Sequence, residues 1–182
     1  GKGFLFVLVF SLFTFHFSLF TSNADEIHSR AAAVVDASTG RVLYAKNPDL
    51  KLPPASTVKV MTAIVAIENA NPEDVIRISR NAARISPFKK GLKEGDEVTV
   101  ETLLYAALME SANYATVALA EAVAGSEERF VHLMNMKAIV MGLKDTQFIN
   151  THGLPGPGQY TTAFDLSRIM RYALRYPKLR EI

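Results

Sequence analysis

Pro53-Pro54-Ala55-Ser56-Thr57-Val58-Lys59 runs without a break into Val60-Met61-Thr62-Ala63-Ile64-Val65-Ala66-Ile67-Glu68. The two prolines halt whatever precedes them, and a helix is expected over residues 56–68. Val58, Val60, Met61, Ala63, Ile64, Val65, Ala66 and Ile67 make it apolar nearly all round, which places it at the centre of a domain rather than on its surface. Ser56 opens the helix and Lys59 follows one turn later, so both side chains project from one face. Burial among Val58, Val60 and Met61 disfavours the charged form of the amine. A neutral lysine beside a serine hydroxyl is the Ser–Lys form of nucleophile and base. The helix N-terminus adds N–H groups and a partial positive charge suited to a developing oxyanion. The plainer alternative makes Ser56 an ordinary N-cap and lets Lys59 snorkel to solvent.

Outward from this helix, residues 31–37 and 41–45 read as two strands joined by the turn Ser38-Thr39-Gly40. Residues 74–79 form a short extended piece, followed by a short helix near 81–85 and a loop through Gly91 and Gly95. Thr99 can cap a helix over 101–110, and a second helix runs over 114–124 to Gly125. A third covers 127–141 and ends at Gly142, with Met134, Met136 and Met141 expected in the core. Residues 151–160 hold His152, three glycines and two prolines and are expected to be an irregular loop, with His152 a loop or core residue. Thr162-Ala163-Phe164-Asp165 has capping-box spacing, which makes Asp165 a helix-capping acid at the start of a helix to about residue 176.

Between the helices over 101–110 and 114–124 stands Ser111-Ala112-Asn113. A serine in that break can pass a proton between Lys59 and a leaving amine, and Asn113 can bind a substrate amide and Lys59 together. Taken alone, such a triplet is a plain interhelix turn. With the Ser56/Lys59 pair before it, the sequence resembles the penicillin-binding, active-site-serine D-alanyl-D-alanine carboxypeptidases. The resemblance extends to residues 33–44, to Glu110-Ser111-Ala112-Asn113-Tyr114-Ala115, to 148–154 and to 160–165, and covers residues 27–175. It implies an α+β fold of the β-lactamase/DD-peptidase type, a helical cluster packed on an antiparallel sheet and only partial here. It implies Ser56 as the acylated nucleophile, Lys59 as general base, Ser111 as proton relay and Asn113 as a substrate-binding residue. The implied partners are peptidoglycan stem peptides ending in D-Ala-D-Ala and β-lactam antibiotics, with no cofactor. Tyr114 stands where the family often carries an acid. No Lys-Thr-Gly follows Asn113; in the family that motif lies on a strand lining the site. The expectation is therefore the N-terminal part of a longer catalytic domain, whose opening hairpin has no later strands to pair with in this chain.

Rival enzymes are a class A-like β-lactamase, which would need a glutamate that residues 145–165 lack, and a DD-endopeptidase, which nothing in the sequence separates. A non-catalytic peptidoglycan-binding or membrane-tethered protein is the rival from another class. The bulk composition narrows the field further. The 182 residues are 49% hydrophobic, enough for one domain with a real core, and the net charge of +2 without a basic block gives no basis for nucleic-acid binding. Cysteine is absent, and the four histidines show neither HxH nor HExxH spacing, which argues against disulfides, thiolate catalysis and a histidine-built metal site. Lys2, the apolar run over 4–20 and the small residues Ser22 and Ala24 have the order of a secretory signal peptide over residues 1–24, ahead of the catalytic part over 25–182. An uncleaved membrane anchor is the alternative. Either one puts the domain outside the cytoplasm, in the periplasm or cell-wall space, with membrane association open.

Overall fold

The apolar segment after the two prolines is the axis of the molecule. A computed structural model describes residues 28–85 and 92–182; the expected leader and Gly91 lie outside the described residues. After a single 3-10 turn, Ala55–Thr57, helix α1 spans Val58–Asn69. Val58, Met61, Ile64 and Val65 are at most 2% exposed, and burying each contributes about 1.5–3 kcal/mol. Helices α3 (Val100–Met109), α4 (Asn113–Ala124), α5 (Glu127–Val140) and α6 (Ala163–Ala173) pack around it. Short helices α2 (Arg80–Arg84) and α7 (Pro177–Glu181) complete the helical set among the described residues.

Local chemistry sets the helix ends. Thr99 Oγ1 accepts from Thr102 N and opens α3, and Ser126 Oγ accepts from Arg129 N and opens α5. Gly125, at φ +78°, ends α4 in the left-handed conformation that only glycine adopts cheaply. At α6 only half of the expected capping box forms. Thr162 Oγ1 accepts from Asp165 N at 3.0 Å, but the Asp165 carboxylate turns away from the cap. It accepts from Asp145 N (3.0 Å) and Thr146 Oγ1 (2.8 Å) and fastens that turn to the helix. Asp165 is therefore a buried staple, not a cap. The methionine expectation also needs correction: Met134 is fully buried, whereas Met136 is 46% exposed.

Strands β1 (Ala32–Val35) and β2 (Val42–Lys46) form the expected hairpin, with an irregular register between Val34 and Val35. Asp36 Oδ1 accepts from Ser38 Oγ, Thr39 N and Thr39 Oγ1, which fixes the turn. Arg171 of α6 donates to the Ala37 and Ser38 carbonyls and ties that turn to the helices. Among the described residues the hairpin pairs with no other strand, and Val34, Val42, Leu43 and Tyr44 remain 40–54% exposed. A second antiparallel pair, β3 (Val75–Arg77) with β4 (Glu97–Thr99), sets Arg77 opposite Glu97. The helices thus accompany two separate two-stranded sheets rather than one larger sheet. No helix among the described residues is long and apolar enough to cross a membrane.

Candidate active site

Ser56 lies in the 3-10 turn just before α1, one element earlier than the helix start expected from sequence. It caps no helix. Its Oγ accepts from Lys59 Nζ at 3.2 Å and from Ser111 Oγ at 3.0 Å. Lys59 Nζ also donates to Ser111 Oγ (3.1 Å) and to the backbone carbonyl of His152 (2.9 Å). Lys59 is only 2% exposed, whereas Ser56 and Ser111 both face solvent. The lysine therefore does not snorkel; its amine ends beneath two accessible hydroxyls.

The electrostatics follow from that placement. Desolvation pushes the Lys59 pKa below the usual lysine range, and none of the ion pairs among the described residues places a carboxylate on Lys59 to push it back. His152 is also shifted down, first by burial and further by the Lys59 charge, against an upward pull from Glu127.

Two non-glycine residues with positive φ flank the lysine. Ala55 has φ +49° and Ser111 φ +55°, a conformation that costs roughly 1–2 kcal/mol per residue. At Ser111 this bend separates α3 from α4 and turns the hydroxyl onto Lys59 and Ser56. At Ala55 the backbone carbonyl approaches Gly153 so closely that a Cβ there would stand 1.8 Å from the Ala55 oxygen. Only glycine fits, and the contact seats the 151–154 segment against the nucleophile's turn. Gly153 also has φ +88°, and its N–H is held by Asn150 Oδ1 at 2.7 Å.

The structure thus brings Ser56, Lys59 and Ser111 into mutual hydrogen-bonding distance. Asn113 opens α4 two residues beyond Ser111, but its side chain is not bonded to Lys59. The amine's hydrogen-bonding positions are already taken by Ser56, Ser111 and the His152 carbonyl. The expected Asn113–Lys59 bond is absent. What the sequence did not announce is the His152 carbonyl and the glycine contact behind it. A main-chain oxygen has no residue type, and the only signal was a glycine after a histidine in a loop.

The family profile of peptidase S11, D-alanyl-D-alanine carboxypeptidase, matches residues 18–182. D-alanyl-D-alanine carboxypeptidase DacF of Bacillus subtilis is 37% identical over 156 residues, which cover 83% of this chain and 40% of that protein. The D-alanyl-D-alanine endopeptidase of Pseudomonas aeruginosa is 36% identical over 160 residues, 86% of this chain and 51% of that protein. Among solved structures, D-alanyl-D-alanine carboxypeptidase DacD from Francisella tularensis superposes with a TM-score of 0.80 at 39% identity, over 85% of this chain and 39% of that one. The chain spans about half or less of the length of each of these relatives.

Proposed function

This chain belongs to the D-alanyl-D-alanine carboxypeptidase family, and from that premise we propose that it carries the serine acyl-transfer machinery of a peptidase acting on peptidoglycan stem peptides. The observation that supports this most directly is the buried Lys59 amine, paired with no carboxylate among the described residues and in contact with both the Ser56 and Ser111 hydroxyls. A neutral amine has two N–H groups and one lone pair. The N–H groups serve the His152 carbonyl and Ser111 Oγ, the lone pair receives the Ser56 O–H, and the Ser111 O–H reaches Ser56 Oγ, so every donor meets an acceptor.

In this reading Ser56 Oγ attacks the carbonyl carbon of the D-Ala–D-Ala bond as Lys59 takes its proton. The C–N bond breaks, Ser111 passes the proton from Lys59 to the departing amine of the terminal D-alanine, and the acyl group remains on Ser56 until water releases it. Asn113, at the rim of the same break between helices, binds the substrate amide. A β-lactam follows the same first step, except that its amine leaves while tethered to the acyl group. The work is done outside the cytoplasm, with residues 1–24 as the export signal.

Labelling the full-length protein with a fluorescent penicillin tests the reading. The label is expected on Ser56 by peptide mapping, absent in Ser56→Ala, and persistent once formed, because residues 145–165 hold no glutamate to activate a deacylating water. A label on another serine would overturn the assignment; rapid multiple-turnover hydrolysis would favour the β-lactamase reading. A DD-endopeptidase is the second reading, because the Pseudomonas endopeptidase is nearly as similar to this chain as the Bacillus carboxypeptidase. Preference for a crosslinked muropeptide dimer over a monomeric pentapeptide would select it.

A further inference from the structure

Behind the site lies a polar junction that the acyl-transfer chemistry does not itself use. Thr151 is fully buried, and its polar groups contact three helices, α1, α4 and α5. Its N–H and its hydroxyl both donate to one oxygen, Glu127 Oε1, at 2.9 and 2.8 Å, from the first turn of α5. Its carbonyl accepts from Thr62 Oγ1 of α1 at 2.8 Å. Its Oγ1 lies 3.1 Å from Thr116 Oγ1 of α4, and Thr116 Oγ1 in turn donates to the Asn113 carbonyl at 2.8 Å. A hydroxyl has one hydrogen, and a carboxylate only accepts, so the Thr151 proton goes to Glu127. The next residue, His152, gives its carbonyl to Lys59 Nζ at 2.9 Å, and its Nε2 lies 3.7 Å from the same Glu127 oxygen.

We propose that Glu127 is a positioning residue for the Ser56–Lys59 pair, acting through Thr151 and the carbonyl of His152. The proposal rests on the acyl-transfer reading. His152 follows Thr151 directly along the main chain, so the bonds that pin the Thr151 N–H, hydroxyl and carbonyl fix the backbone from which the His152 carbonyl projects. If Glu127 cannot accept, the Thr151 N–H is left buried and unpaired, a state folded proteins avoid by moving the backbone. The carbonyl then leaves Lys59, and the amine loses the one acceptor that is not a reacting hydroxyl.

The test follows Ser56 acylation in the full-length protein, separating the rate constant at saturating penicillin from the half-saturating concentration. Glu127→Ala is expected to lower the saturating rate about ten-fold or more, in line with the cost of a small misplacement of catalytic groups. The half-saturating concentration should stay within about two-fold, because Glu127 is bonded to the main chain behind Lys59 and not to the reacting hydroxyls. Glu127→Gln keeps a carbonyl oxygen at Oε1 for both Thr151 bonds and is expected to restore the rate. A merely structural role would reduce the labelled fraction and the thermal midpoint and leave the rate constant of the folded protein unchanged; that result overturns the proposal. If Glu127→Ala does not fold, Glu127→Asp decides: its carboxylate, one methylene shorter, is withdrawn from both Thr151 bonds, and a native rate there overturns the proposal as well. Absence of acylation in the unaltered protein refutes the acyl-transfer reading instead, so the two failures are distinguishable.

Discussion

Lys59 is a cation-forming group held at 2% exposure with hydroxyls and a carbonyl around it. Desolvation favours the neutral amine, which is the form a base must have. Because the folded pKa lies below the usual lysine value of 10.5, the neutral fraction rises with pH earlier than for an exposed lysine. Ser56 acylation by penicillin is therefore expected to climb along an acid limb positioned below the ordinary lysine range. Lys59→Ala should slow acylation by about 10² or more and abolish that limb. A limb that survives the substitution would assign the titration to another group, with His152 the nearest candidate. Hydroxyl and amine three residues apart singled out Ser56 and Lys59, and Ser111 stood out only beside that pair; the structure sets the three within hydrogen-bonding distance. Residue identity could not show the His152 carbonyl, because main-chain atoms are the same everywhere. Nor could it show Glu127, which meets Thr151 across 24 positions of sequence.

Between elements, position depends on close approach. The 151–154 segment and the 3-10 turn bearing Ser56 touch where Gly153 faces the Ala55 carbonyl, with room for no side chain. Gly153→Ala would set a Cβ 1.8 Å from the Ala55 carbonyl oxygen at an unfavourable positive φ. It should cost about 2 kcal/mol or more of stability and push the His152 carbonyl off Lys59. Denaturant unfolding together with the acylation rate checks this, and a variant native in both would mean the segment is free to retreat. The sequence pattern made α1, α3, α4, α5 and α6 visible because each is a largely apolar or periodic run of ten residues or more, bounded by the two prolines before α1, by the Ser111-Ala112-Asn113 break before α4, and by capping side chains at α3, α5 and α6. It missed β4, whose three residues Glu97–Thr99 are too short to show alternation. It also placed Ser56 inside the helix, because a 3-10 turn leaves no signature distinct from a first α turn. The Asp165 half of the capping box failed for a tertiary reason: two donors at positions 145 and 146 outcompeted the local N–H.

Over the whole molecule, α1 is held at both ends. Its N-terminal end meets the active-site groups, and its C-terminal end carries Glu68. Glu68 Oε1 accepts from Tyr172 Oη at 2.9 Å and from Tyr176 Oη, and Oε2 pairs with Lys137 Nζ, so one carboxylate joins α1, α5 and the segment from α6 to residue 176. Burial pushes the Glu68 pKa up, but the Lys137 ammonium and the two phenols outweigh it, and the net shift is below the ordinary value of 4.5. Tyr176 is shifted up by burial and by Glu68 and so stays a donor. The sign for stability is then fixed. A carboxyl whose folded pKa is depressed contributes fully above its unfolded pKa and loses that contribution as pH falls through the folded value. Glu68→Gln is expected to destabilise the protein by about 2 kcal/mol at pH 7, leaving Lys137 half-buried without its anion. The gap to the unaltered protein should narrow steadily once the pH drops below 4.5. Denaturant titrations of both proteins at neutral and acid pH measure it. An equal gap at both would mean that Glu68 acts by shape and neutral hydrogen bonding alone, and that its charge does not hold these helices together.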